Sequence, residues 1–97
     1  GINAEYGEMK LLTFIQGLRN QKITLNTKTK LKISGTVLNV DDHMNVFLKG
    51  AKVVKDDVVI REAETIVIRG SVIRDVEFDE GFNVNLFLAK AQMKSEQ

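Results

Sequence analysis

Cysteine and proline are absent from these 97 residues, and histidine occurs once. Without cysteine, neither disulfides nor a thiolate metal site can reinforce the core. With a single histidine and no serine beside a base-like group, the nucleophilic and acid–base templates stay empty, so neither an enzyme nor a cofactor is expected. The lack of proline, of internal repeats and of low-complexity stretches leaves no linker to divide the chain. No apolar run is long enough to span a bilayer and no signal-peptide pattern occurs, so a soluble intracellular protein without a membrane partner is expected. The acid pairs Asp41/Asp42 and Asp56/Asp57 lack the spacing of a calcium loop, and neighbouring strand residues point to opposite faces. Solvated turns explain them better than a metal site.

What is present is one domain's worth of chain, residues 1–97, because two cores of this size would bury too little apolar surface to offset chain entropy. Partner subunits are the expected source of any further stabilisation. Apolar residues make up 43% and charged residues 28%, and the excess of Val and Ile over aromatics favours strands. The net charge of +1 hides a lopsided distribution. Between Met9 and Val40 stand Lys10, Arg19, Lys22, Lys28, Lys30 and Lys32 with no acid among them, whereas the acids gather from Asp41 onward. A solvated basic edge is the plainest explanation, and phosphate contact needs other support.

Leu11, Leu12, Ile15 and Leu18 recur at helical spacing, so Glu8 to Gly17 reads as a short amphipathic helix lying on a sheet, with Gly17 suited to a left-handed C-terminal position. From Gln21 the pattern alternates. Ile23 and Leu25 lead into a polar turn at Asn26–Thr29, and the return arm carries Leu31, Ile33 and Val37 on one face. Gly35 falls in the same phase, where a missing side chain lets a long strand bend. Asp41–His43 reads as a turn, Met44 to Val54 as a strand that slips phase near Gly50, and Lys55–Asp57 as the next turn. Val58 to Ile68 forms a fourth strand, Arg69-Gly70 a break, and Ser71 to Phe78 a fifth. In the stretch from Asp79 to Gln97, Phe82, Leu86, Ala89 and Met93 suit a loosely packed helix, although Phe82, Val84 and Leu86 also alternate. The expected fold is therefore mostly β, an N-terminal helix followed by a five-stranded, strongly bent antiparallel sheet. Its core spans about residues 9–78, with 79–97 as an extension. Such a sheet has two edges that need covering. If the last strand of one subunit adds to the fourth strand of the next, with Val58–Ile60 and Val72–Val76 as the edges, the contact repeats until a ring closes. A monomeric SH3-like barrel with edges blunted by Asp and Lys is the rival.

Two stretches carry a family resemblance. Gly35-Thr-Val-Leu-Asn-Val-Asp-Asp-His-Met-Asn-Val-Phe-Leu48 resembles the first Sm motif, and Ile68-Arg-Gly-Ser-Val-Ile-Arg74 resembles the second. The chain is thus similar to the Sm and Sm-like (LSm) family. Met9 to Leu18 and His43 to Lys49 are most similar to its D-type branch, which includes proteins of splicing, of the U6 and decay rings, and of histone pre-mRNA processing. The resemblance implies the Sm fold, an SH3-like barrel, assembled with other Sm-type subunits into a ring, by expectation a hetero-oligomeric heptamer. It implies binding of single-stranded uridine-rich RNA at one nucleotide per subunit, in the nucleus and also the cytoplasm.

The family's base pocket maps onto Asp41, His43, Asn45, Arg69 and Gly70. Asn45 carries a donor and an acceptor in one plane, suited to the edge of uracil. Asp41 can fix which way that amide faces. His43 and Arg69 offer flat groups for stacking, and Gly70 permits close backbone approach. Each has a plainer alternative: Asp41-Asp42 as turn composition, His43 as an exposed turn residue, Arg69 as a brace for Asp41. Met44 matches the phase of Val46 and Leu48 and reads as core, and Arg74 reads as an ion-pair partner. The sequence departs from the branch at Asp75-Val-Glu-Phe-Asp79, where an aromatic and an apolar run are usual. Acids there are expected to change which neighbour is accepted. A ring-forming interaction subunit without RNA contact is the competing function.

Overall fold

A computed structural model describes residues 13–79, 81 and 83–86. Residues 13–16 are helical, with the Gly17 N–H bonded to the Thr13 carbonyl at 3.0 Å. The start of the expected helix, with Leu11 and Leu12, lies outside the described residues. The strands are β1 (Lys22–Thr27), β2 (Lys32–Val40), β3 (Val46–Lys55), β4 (Val58–Ile68), β5 (Ile73–Phe78) and β6 (Asn83–Asn85). They form one six-stranded sheet in the order β4-β3-β2-β1-β5-β6, with every neighbouring pair antiparallel.

Alternation explains most of it. Ile23 and Leu25 of β1, Ile33 and Val37 of β2, and Val46 and Leu48 of β3 are buried in one core, which Ile15 and Leu18 join from the helical end. Phe14 reaches the far end of β5, its ring 6.3 Å from that of Phe78 in an edge-on arrangement. The helix therefore covers the sheet as its apolar spacing predicts.

The bend sits where two glycines meet across strands. Ser34 pairs with Lys52 and Thr36 with Lys49, so Gly35 alone stands opposite Gly50 and Ala51. That extra residue is a β-bulge, and Gly50 takes the left-handed φ of 61° that it requires. Gly35 meets a different demand. A Cβ there would stand 3.0 Å from the Lys49 carbonyl oxygen and 3.2 Å from the Leu48 Cβ, so β2 and β3 approach more closely than a side chain ordinarily permits. At the far end of β3, Asp56 and Asp57 have φ of 49° and 64°, the type I′ geometry that joins twisted strands in two residues.

Several expectations shift. Gly17 is not the left-handed residue after the helix; Asn20 is, at φ 68°, and its N–H reaches the Val37 carbonyl at 2.8 Å. Residues 70–72 form a 3-10 turn, so β5 begins at Ile73 rather than Ser71. Asn26 and Thr27 belong to β1 and are buried, instead of opening the turn. Asn83–Asn85 is a strand where a helix was expected: Val84 pairs opposite Val76, and the alternation prevails over the helical spacing. Phe82 and residues 87–97, with Ala89 and Met93, lie outside the described residues. β6 pairs with Asp75, Val76 and Glu77, so the C-terminal end of the expected edge Val72–Val76 is covered within the chain.

The acids of β5 are spent inside the chain. Asp75 is buried, and its carboxylate accepts from the Asn26 amide, from the Asn83 amide at 2.9 Å and from Arg74 Nε at 3.0 Å. Arg74 is thus the ion-pair partner expected of it. Glu77 lies 3.7 Å from Lys32 on a neighbouring part of the surface. The expectation that these acids select a neighbour fails for Asp75, because no charge is left facing outward.

Burial pushes the Asp75 carboxyl up, but the hydrogen bonds from Asn26, Asn83 and Arg74 outweigh it and hold it below its ordinary value of 3.8. Its contribution to stability is complete above 3.8 and is lost as pH falls through the lower folded value. Asp75→Ala, which strands the buried Asn26 amide, is expected to cost about 1–3 kcal/mol in urea unfolding at pH 7, and to flatten the loss of stability measured below pH 3.8. Gly35→Val is expected to lower stability by about 1–3 kcal/mol through the forced separation of β2 and β3, read by the same unfolding curves.

Candidate functional site

The segment between β2 and β3 is organised by one carboxylate. Asp41 Oδ1 accepts from the backbone N–H groups of His43 at 2.9 Å and Asn45 at 2.8 Å, and Oδ2 accepts from the Asn45 side-chain Nδ2 at 2.9 Å. The Asp41 N–H bonds the Asn45 carbonyl at 3.1 Å, and the Met44 N–H bonds the Asp41 carbonyl at 3.0 Å, closing the turn on both sides. An aspartate at the head of such a turn satisfies donors that no strand partner reaches. The Asn45 backbone N–H, more than the other donors, holds the Asp41 carboxyl below its usual value, against desolvation and with help from His43. Asp41 is therefore charged at neutral pH.

The turn between β4 and β5 meets this one. The Gly70 N–H donates to Asn45 Oδ1 at 3.2 Å, across 25 residues of sequence. A Cβ on Gly70 would lie 2.6 Å from the Met44 carbonyl oxygen and 2.9 Å from that of His43. Only glycine admits this contact. The approach that Gly70 permits is thus made by the backbone of the opposite turn. Met44 holds a left-handed φ of 63°, and its half-buried side chain packs against the core, as its phase implies.

Asp41, Asn45 and Gly70 are joined directly, so the amide of Asn45 is fixed at both ends. Nδ2 keeps one N–H and Oδ1 keeps one lone pair for something outside the protein. The side chains of His43 and Arg69, carried by the same two turns, are exposed. Among the described residues the Arg69 guanidinium forms no ion pair within 4.0 Å, so the brace to Asp41 is not made. Two contacts escaped the sequence reading. Gln16 Nε2 donates to Asp42 Oδ1 at 3.3 Å and Arg19 Nη2 to Asn39 Oδ1 at 2.8 Å, so the helical end buttresses the strand and turn that carry Asp41. Nothing in residue spacing signals such links. Among the described residues no cluster of three or more His, Cys, Asp or Glu is placed to hold a metal.

Gly70→Ala should part the two turns, lowering stability by about 1–3 kcal/mol. In NMR spectra it should shift the Asn45 side-chain amide signals while leaving those of Asn26 unmoved.

The chain and its fold have known counterparts. A family model described as the LSM domain matches residues 13–78. The chain is 32% identical over 81 residues to Sm-like protein LSM2 of Arabidopsis thaliana, covering 80% of this chain and 87% of the relative. It is 34% identical over 70 residues to the probable U6 snRNA-associated Sm-like protein LSm2 of Dictyostelium discoideum, covering 70% of this chain and 60% of that protein. Both relatives carry the LSm2 name, which by itself does not establish the D-type branch. Among solved structures, the Sm protein of Pyrococcus abyssii in complex with a uridine heptamer has a TM-score of 0.63 and 26% identity, over 68% of this chain and 93% of that one. One family model accounts for the chain from the helical end through β5, and the chain belongs to the Sm and Sm-like (LSm) family.

Proposed function

We propose that this protein is a non-catalytic, RNA-binding subunit of a mixed Sm-type ring of seven, and that each subunit takes one nucleotide of a single-stranded, uridine-rich site. The observation that carries this reading is the Asn45 carboxamide, pinned between Asp41 and the Gly70 N–H with one donor and one acceptor left over. Uracil presents an imino N–H beside a carbonyl, the complementary pair. Cytosine presents the reverse order, and because the amide cannot turn, cytosine would have to turn over in the pocket. Asp41 is the orienting residue, Asn45 the specificity residue, and His43 and Arg69 the stacking groups, with Gly70 holding the two turns together.

The uridine heptamer bound by the Pyrococcus abyssii protein supports the ligand class. The U6 snRNA-associated name of the Dictyostelium relative supports a nuclear role; service in splicing, RNA processing or decay, with the cytoplasm as a second location, is part of the proposal. The likeness of Met9–Leu18 and His43–Lys49 to the D-type branch supports a matching position in the ring, with residues 1–97 acting as one domain. A ring also multiplies weak contacts. Pockets held rigidly side by side act at high effective concentration, so the isolated subunit binds RNA poorly.

In a ring reconstituted with its co-purifying subunits, Asn45→Ala combined with Arg69→Ala is expected to weaken oligouridylate binding by about 1–3 kcal/mol, roughly five- to 150-fold. Fluorescence anisotropy reads the loss. Unchanged affinity in an intact ring would favour the interaction-only function instead.

A further inference from the structure

The two outer strands of the sheet are unequal. β4 runs for 11 residues with no strand beyond it among the described residues, and Val58, Val59, Ile60 and Val67 are 60%, 50%, 54% and 53% exposed. Beside it opens a groove of about 470 Å³ with Leu31, Ile33, Ile66 and Val72 among its lining. A long apolar edge of this kind pairs with another strand or aggregates. At the opposite end, the six-residue β5 is covered by the three-residue β6. One chain thus carries a long uncovered edge and a second edge under a short cover.

We propose that β6 is an exchangeable cap on β5, displaced during assembly by β4 of an adjacent barrel of the same family. This rests on the ring reading above. β6 itself is a poor landing strip for β4, since it offers three residues, two of them asparagine. β5 offers six, and more ladder hydrogen bonds follow from the longer pairing. The attachment of β6 is also separable from the fold beneath it. Besides the ladder pairing, the Asn83 amide ties β6 to Asp75, and when that bond leaves, Asp75 still accepts from Asn26 and Arg74. No buried carboxylate is stranded by the exchange. Leu86 gives up its place in the core, and the adjacent barrel's exposed β4 side chains replace that burial. The cap keeps β5 from pairing indiscriminately while the subunit is alone.

The absence of cysteine makes a direct test available. Glu77 and Asn83 are directly paired across β5 and β6. Facing antiparallel residues have Cα atoms about 4.5–5.5 Å apart, within disulfide range. The Glu77→Cys, Asn83→Cys chain is mixed with the family subunits that co-purify with the wild-type chain, and native mass spectrometry reads the assemblies. Circular dichroism confirms that the oxidised chain is folded. The oxidised chain is expected to remain outside the assembly and to enter it once reductant is added. A second variant, Val84→Pro, weakens β6 without touching β5 and is expected to assemble faster than the wild type. Equal assembly of oxidised and reduced chains, or an unchanged rate for Val84→Pro, overturns the cap while leaving the ring intact. If the reduced and wild-type chains both fail to join any family subunit, the ring reading falls and the cap falls with it.

Discussion

A single carboxamide holds the candidate site together. Asn45 gives one hydrogen to Asp41 and receives one from Gly70, so turns 25 residues apart in sequence share a side chain. Everything the site can do follows from what those bonds leave unused. A loose amide would present donor and acceptor in either order, whereas a pinned one presents a single order. The charge on Asp41 makes its hydrogen bonds stronger than neutral ones. The amide is consequently oriented in advance, and its own ordering would not oppose binding.

The pairing of β3 with β4 brings those turns together, since Val46 stands opposite Ile68 and leaves Asn45 and Gly70 just beyond the end of the ladder. β2 and β3 run past each other with one residue facing two at a bulge. The glycines on either side of this point act differently. Gly50 supplies a backbone angle, and Gly35 supplies space.

Much of this was legible in the residues. β4 runs from Val58 to Ile68 as read, the phase slip falls at Gly50, and the Asp41–Asn45 turn stands where its composition put it. Local chemistry decides these features, which is why local patterns reveal them. Misread features depended on distant partners. Asn26 looks like a turn former until Asp75, 49 residues away, makes it a buried donor. Asn83–Asn85 fits a helix or a strand until the edge of β5 selects one. The reason for Gly70 was half visible: close approach was foreseen, but the approaching group is the opposite backbone, which spacing in one stretch of sequence does not disclose.

The pairing of β1 with β5 sets an order on biosynthesis. β1 finds β2 within a few residues, but its other edge waits for Ile73–Phe78, and the Asn26 amide waits for Asp75. A nascent chain emerging from the ribosome therefore completes the four-strand meander first, with one side of β1 and much of its apolar face still bare. Non-local closure of this kind is slow compared with hairpin formation. During that interval the unfinished sheet is vulnerable to pairing with the wrong strand.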